Sequence, residues 1–234
     1  MSEPTLQHLP DDWDSALAIV AHPDDMEYGA ASAVARWTRQ GKTVAYVLVT
    51  RGETGIDSLP PDECALVREA EERASAEVVG VSTVDFLGHP DGLVEYGVPL
   101  RRDLTAAIRR HRPEVIVGLN HHDTWGGRSL NMADHRNTGL AVLDAVRDAS
   151  NPWVFPDAGE AWKGVRLVCE SGSPEVTHAV DVTDTIDLGV ASLEAHRAYL
   201  AHVGGDTEFL RSYAEQTGAR LGTRYATSFE VFEF

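Results

Sequence analysis

Four short apolar runs punctuate the first half of the chain, and segments of helical periodicity separate them. Residues 16–20, 43–50 (TVAYVLVT), 83–87 (TVDFL) and 114–119 (EVIVGL) are too short for helices and carry few polar side chains. That is the pattern of strands buried on both faces of a parallel sheet. Between them, residues 31–40 read as a helix ended by Gly41 and residues 61–79 as a long amphipathic helix closed by Gly80. Residues 99–111 and 134–148 read as two more helices. Strand–helix alternation of this kind predicts a doubly wound sheet with right-handed crossovers. The second half is less regular. Residues 165–170 and 176–182 read as strands, 184–203 as one helix and 227–232 as a last strand. The expected fold class is therefore α/β: a Rossmann-like three-layer α/β/α sandwich with a mostly parallel sheet and an extended C-terminal portion. At 234 residues, without repeats or low-complexity segments, a single domain over 1–234 is expected.

A net charge of −17 argues against nucleic acid or an anionic membrane surface as partner, since both call for basic patches. No apolar run approaches the roughly 20 residues that span a bilayer. The opening Met1-Ser2-Glu3-Pro4 is not that of a secretory signal. Cys64 and Cys169 are too few and too far apart for a disulfide framework. A cytoplasmic protein acting on small molecules is expected, and apolar Phe229, Val231, Phe232 and Phe234 are candidate contacts of a homo-oligomer.

Ionisable residues gather in the loops after the predicted strands: His22/Asp24/Asp25, Arg51/Glu53, His89/Asp91 and His121/His122/Asp123, the last leading to Asp134/His135. In an open parallel sheet such loops converge on one edge. In Ala21-His22-Pro23-Asp24-Asp25, one imidazole and two carboxylates suit a divalent metal with a carboxylate left over as base. The plain alternative is a turn whose Asp24 or Asp25 caps a helix starting near Tyr28. Plain alternatives exist elsewhere too. His121 and His122 suit a polar surface loop, His178 a hydrogen-bonded strand histidine, and Arg68 with Glu71 a surface i,i+3 pair. Trp125-Gly126-Gly127 suits a mobile aromatic lid or a packed turn.

Taken together, these motifs resemble the zinc-dependent de-N-acetylases typified by the N-acetylglucosaminyl-phosphatidylinositol deacetylases and the LmbE-like proteins (PIG-L/LmbE-like). The resemblance rests on Ala21-His22-Pro23-Asp24-Asp25, Thr50-Arg51-Gly52-Glu53, Arg68 with Glu71, Val79-Gly80 and Phe86-Leu87-Gly88 through Asp91-Gly92. Arg112-Pro113-Glu114-Val115, Ala133-Asp134-His135-Arg136 and His196 extend it. It implies that His22, Asp25 and His135 hold Zn2+ or another divalent transition metal, with Asp24 as general base. One departure stands out: Met132 and Leu130 occupy positions where better-known members carry a histidine and a tyrosine. Methionine can neither donate a strong hydrogen bond nor carry charge. Either Asp24 serves as both base and acid, or His178, His121 or His122 supplies the missing proton. Arg51, Arg68, Asp91 and Trp125 are the candidate substrate contacts. The expected function is a zinc hydrolase that cleaves an N-acyl, most simply N-acetyl, amide of an amino sugar, glycoconjugate or related secondary metabolite. A zinc-containing sugar-binding protein without turnover is the alternative. A nucleotide-binding Rossmann protein is a poorer one, because no Gly-rich phosphate turn follows the first strand.

Overall fold

The computed structural model describes residues 5–234. Its strands are β1 (Gln7–His8), β2 (Ser15–Val20), β3 (Thr43–Leu48), β4 (Val84–Phe86), β5 (Val115–Leu119), β6 (Leu167–Ser171), β7 (His178–Asp181) and β8 (Ala226–Glu233). Among the described residues they form one sheet in the order β1-β7-β8-β6-β5-β2-β3-β4. Its pairings are parallel except those of β8, which runs antiparallel to β6 and β7. The chain steps from β2 to β3 and β4 on one side, then returns to the other side for β5. The β2/β5 boundary is thus the topological switch point, where open α/β sheets leave a crevice.

Alternation along the strands builds the three layers. Ala16, Ala18 and Val20 face one apolar cluster with α1 (Asp25–Gly29) and α2 (Ala31–Arg39), while Leu17 and Ile19 face another with α4 (Val98–His111) and α5 (Ala133–Ser150). Helix α3 (Pro61–Val78) joins the first layer through Ala76, and α6 (Ile186–Glu194) packs on α2 and α3. Both faces of the central strands are buried, which is why their sequences read as continuous apolar runs. No helix among the described residues is long and apolar enough to cross a membrane.

The C-terminal third departs from expectation in two ways. The single helix expected over 184–203 is divided into α6 and α7 (Arg197–Val203). The break falls at His196 (φ −79°, ψ 58°), whose side chain is wholly buried against Glu27 and Glu72. A further helix, α8 (Phe209–Leu221), packs on β8. Of the C-terminal apolar residues, Phe229 is buried in one helix–sheet layer with Val231 packed on it, Phe232 packs against the other layer, and Phe234 stays exposed.

Candidate metal centre

The His22–Asp25 turn leaves β2 at the switch point. Asp24 adopts a left-handed backbone (φ 92°) and α1 begins at Asp25, so the two neighbouring carboxylates diverge through a turn rather than along an extended segment. Asp24 occupies the N-cap position without capping through its side chain. A non-glycine residue in this region is strained and needs external support. Glu72 Oε2 accepts the Asp24 N–H at 3.1 Å, and Arg68 Nη2 donates to Pro23 O and, at 3.1 Å, to Asp24 Oδ2. Arg68 itself is almost wholly buried and stacks on the Tyr199 ring. Burial, reinforced by the Asp25 charge and only partly opposed by Arg68, pushes the Asp24 carboxyl up to about 6.

His135, on the first turn of α5, meets this turn from the far side of β5. Gly139, one turn later, lets the helix press onto the strand end, because a Cβ there would sit 2.8 Å from Leu119 O and from His121 Cβ. His22 Nδ1 and His135 Nε2 lie 3.0 Å apart, and Asp25 Oδ1 is 3.1 Å from His135 Nε2. Asp25 Oδ2 accepts the N–H groups of Ala21 (3.0 Å) and His22 (2.8 Å). Burial works to raise the Asp25 carboxyl, but the two imidazoles hold it well below the usual carboxylate range.

The surrounding hydrogen bonds decide what these atoms offer. His22 Nε2 donates between Asp134 Oδ2 (3.1 Å) and Asp91 Oδ1 (3.2 Å). Those two carboxylates are themselves fixed: Asp134 accepts from the backbone of Gly92 and Val94, and Asp91 from Thr54. Burial opposes ionisation of Asp91, yet His22 and Thr54 bring its carboxyl down to about 2. Asn131 commits its Nδ2 to the carbonyls of Asn120 and His122, so its Oδ1 accepts from His135 Nδ1 at 3.0 Å. Both outer ring nitrogens therefore have an acceptor that orients them, and the inner ones, His22 Nδ1 and His135 Nε2, converge on one point beside Asp25 Oδ1. Two ring nitrogens at this distance are joined by a shared proton or by a cation. Two imidazoles and a carboxylate, each oriented by a second partner, are a donor set that fits zinc or a neighbouring divalent transition metal.

The group opens onto a cavity of about 390 Å³ that Asp24, Arg68, Asp91, Trp125 and Met132 also line. The predicted site residues divide clearly. His22, Asp25 and His135 come together, with Asp24 beside them. Arg68 and Asp91, expected at the substrate, reach the cavity but direct their hydrogen bonds to Asp24 and His22. Trp125 forms a wall, its ring edge-on to His135 at 5.4 Å. Arg51 pairs with Glu69 and does not line the cavity. The three histidines expected to supply a proton also lie outside it. His121 bonds Glu170 (2.6 Å), His122 bonds Glu230 (2.8 Å), and His178 on β7 bonds Thr177 (2.8 Å). Met132 sits half-exposed at the rim. Asn131, Thr54, Glu72 and Tyr199 were not singled out from the sequence. Asp134 was, only as the neighbour of His135.

Comparison with known proteins follows the same lines. The family model described as GlcNAc-PI de-N-acetylase (PIG-L) matches residues 17–146. The diacetylchitobiose deacetylase of Thermococcus kodakarensis is 27% identical over 217 residues, which cover 90% of this chain and 80% of that protein. A 1D-myo-inositol 2-acetamido-2-deoxy-alpha-D-glucopyranoside deacetylase of Kineococcus radiotolerans is 28% identical, with 77% of this chain and 67% of the relative covered. Among solved structures, N,N'-diacetylchitobiose deacetylase from Pyrococcus horikoshii superposes with a TM-score of 0.84 at 26% identity. That match covers 95% of this chain and 85% of the other.

Proposed function

The chain belongs to the PIG-L family, the GlcNAc-PI de-N-acetylases, and is an enzyme of the amidase/deacetylase kind; from that premise we propose that it hydrolyses an N-acyl amide on an amino sugar or related glycoconjugate. The observation that carries the reading is the convergence of His22 Nδ1, His135 Nε2 and Asp25 Oδ1 at the base of a cavity with Asp24 alongside. A divalent metal, zinc in the first instance, held by these three residues would polarise the amide carbonyl and acidify water. Asp24 takes a proton from the attacking water and returns it to the departing amine. Its raised pKa suits that double duty, because the carboxyl can both accept and release a proton near neutrality. Arg68 and Glu72 hold Asp24 in its strained conformation, and Asp91 and Asp134 hold the His22 ring. The sugar lies toward the β3 and β4 loops, where Gly52, Thr54, Gly55 and Gly92 present backbone and hydroxyl groups. Small molecules in the cytoplasm are the proposed substrates, in keeping with the acidic charge balance.

A second reading, binding without turnover, draws on Met132, which offers the rim no proton donor. Amine release from a panel of N-acetylated amino sugars by zinc-reconstituted protein separates the two. Release that Asp24→Asn abolishes is the expected result. No release from any member by metal-loaded protein supports binding alone.

A further inference from the structure

Beside the cavity at the His22–Asp25–His135 group lies a second cavity of about 350 Å³, and Tyr28, Gly29, Trp125 and Gly172 line both. A volume of this order is typical of small-ligand pockets. Phe209, Leu210 and Tyr213 of α8 and Ile186 of α6 form its apolar wall, and Ser32, Thr227 and Ser228 line the side toward the sheet. Phe209 stacks on Tyr28 with ring centroids 5.8 Å apart and planes at 23°. Glu27 is the one ionisable acid among the lining residues, and its Oε1 is taken by Ser75 and Ser192. Two glycines keep the wall between the cavities thin and close-packed. A Cβ on Gly29 would come 2.3 Å from Ser171 Oγ, and one on Gly172 would come 2.7 Å from the Trp125 ring.

Sheet order sets the arrangement. The polar wall stands over β3 and β4, the His22–Asp25–His135 group over β2 and β5, and the apolar annex over β6 and β8. An amide carbonyl placed over the central group has two substituents. In a planar trans amide these point away from each other. With the sugar on the polar side, the acyl substituent is directed past Trp125 toward Phe209 and Tyr213. We propose that the annex receives the hydrocarbon chain of an acyl group longer than acetyl, so that the substrate is a medium-chain N-acyl amino sugar. This rests on the hydrolase reading above. The chemistry is unchanged: water oxygen joins the acyl carbon, the C–N bond breaks, the amine leaves with a proton, and a fatty carboxylate is the second product.

The test uses methyl glycosides of N-acetyl- and N-octanoyl-glucosamine as substrates, together with calorimetric titration of acetate and octanoate. The unaltered protein, Phe209→Asp and Tyr213→Asp are compared; both side chains are about half exposed, so the fold should tolerate the changes. The unaltered protein is expected to favour the octanoyl amide in kcat/KM by at least about tenfold and to bind octanoate more tightly than acetate. In both variants the octanoyl-to-acetyl ratio should fall to near one. Cleavage of the acetyl amide with no octanoyl preference overturns this inference and leaves the hydrolase reading intact. Octanoate binding that depends on Phe209, without cleavage of either amide, supports the annex and removes the hydrolase reading. A Phe209-dependent preference for the benzyl over the methyl glycoside of the acetyl substrate would put the aglycone in the annex and overturn the proposal.

Discussion

Two clusters of imidazole and carboxylate lie on either side of Asp24, and they are built for different tasks. In His22–Asp25–His135, each ring nitrogen facing away from the shared point is committed to an oriented acceptor, and the group opens to a cavity. In Glu27–Glu72–His196, the residues are equally rich in ligand atoms but the side chains are buried, and only Glu27 borders a cavity. His196 Nε2 is 3.6 Å from Glu27 Oε2 and 3.7 Å from Glu72 Oε2, and neither ring nitrogen of His196 has a hydrogen-bond partner. Burial, with Glu27 beside it, raises the Glu72 carboxyl well above its ordinary value. The comparison separates ligand type from ligand function. The first cluster orients both of its rings from outside and opens onto a cavity. In the second neither ring nitrogen is oriented, its carboxylates accept from Ser75, Ser192 and the Asp24 N–H, and its visible output is the last of these. It reads as a brace beneath the base.

Substitutions can break this contrast or sharpen it. The largest effect is expected for His135→Ala, which should abolish metal retention and reduce amine release on the order of a thousandfold or more. Plasma emission spectroscopy and a fixed-substrate assay check both. Next comes Asp24→Asn, which should keep the metal and lower kcat roughly 10²–10⁴-fold, the span usual for loss of a general base. A variant that loses metal as well would show Asp24 to be a ligand. Asn131→Ala frees the His135 ring from its outer partner, and metal affinity measured by competition with a chelator should fall about 10–100-fold. The smallest change in turnover per folded molecule is expected at His196→Ala. Its cost falls on stability instead, about 2–5 kcal/mol by denaturant unfolding, because truncating a wholly buried side chain leaves a cavity. Two metal equivalents in the unaltered protein, with one lost in His196→Ala, would erase the distinction between the clusters.

The first cluster was largely legible in the sequence, and the second was not. Ala21-His22-Pro23-Asp24-Asp25 sits next to a strand whose apolar run announces it, so its place at the sheet edge follows from local pattern. His135 was reached through the Asp134-His135-Arg136 segment and its family resemblance. By contrast, the use of Asp134 and Asp91 as partners of His22 depends on contacts across 112 and 69 positions of chain. No periodicity encodes such contacts. Arg68 shows the same gap: its chemistry suggested a hydroxyl contact, whereas burial turns its donors inward to Pro23 and Asp24. The break at His196 was hidden because residues 184–203 carry a continuous helical pattern, and only the tertiary demand to bury that imidazole interrupts it. His121, His122 and His178 lie close to strand ends, as expected, but that edge is wide. Glu170, Glu230 and Thr177 engage them outside the cavity.

The most direct test of the account is the metal content of the purified, zinc-reconstituted protein beside His135→Ala and His196→Ala. The account predicts about one equivalent in the unaltered protein and in His196→Ala, and none in His135→Ala. Metal held undiminished by His135→Ala, or no metal in the unaltered protein after reconstitution, would contradict it.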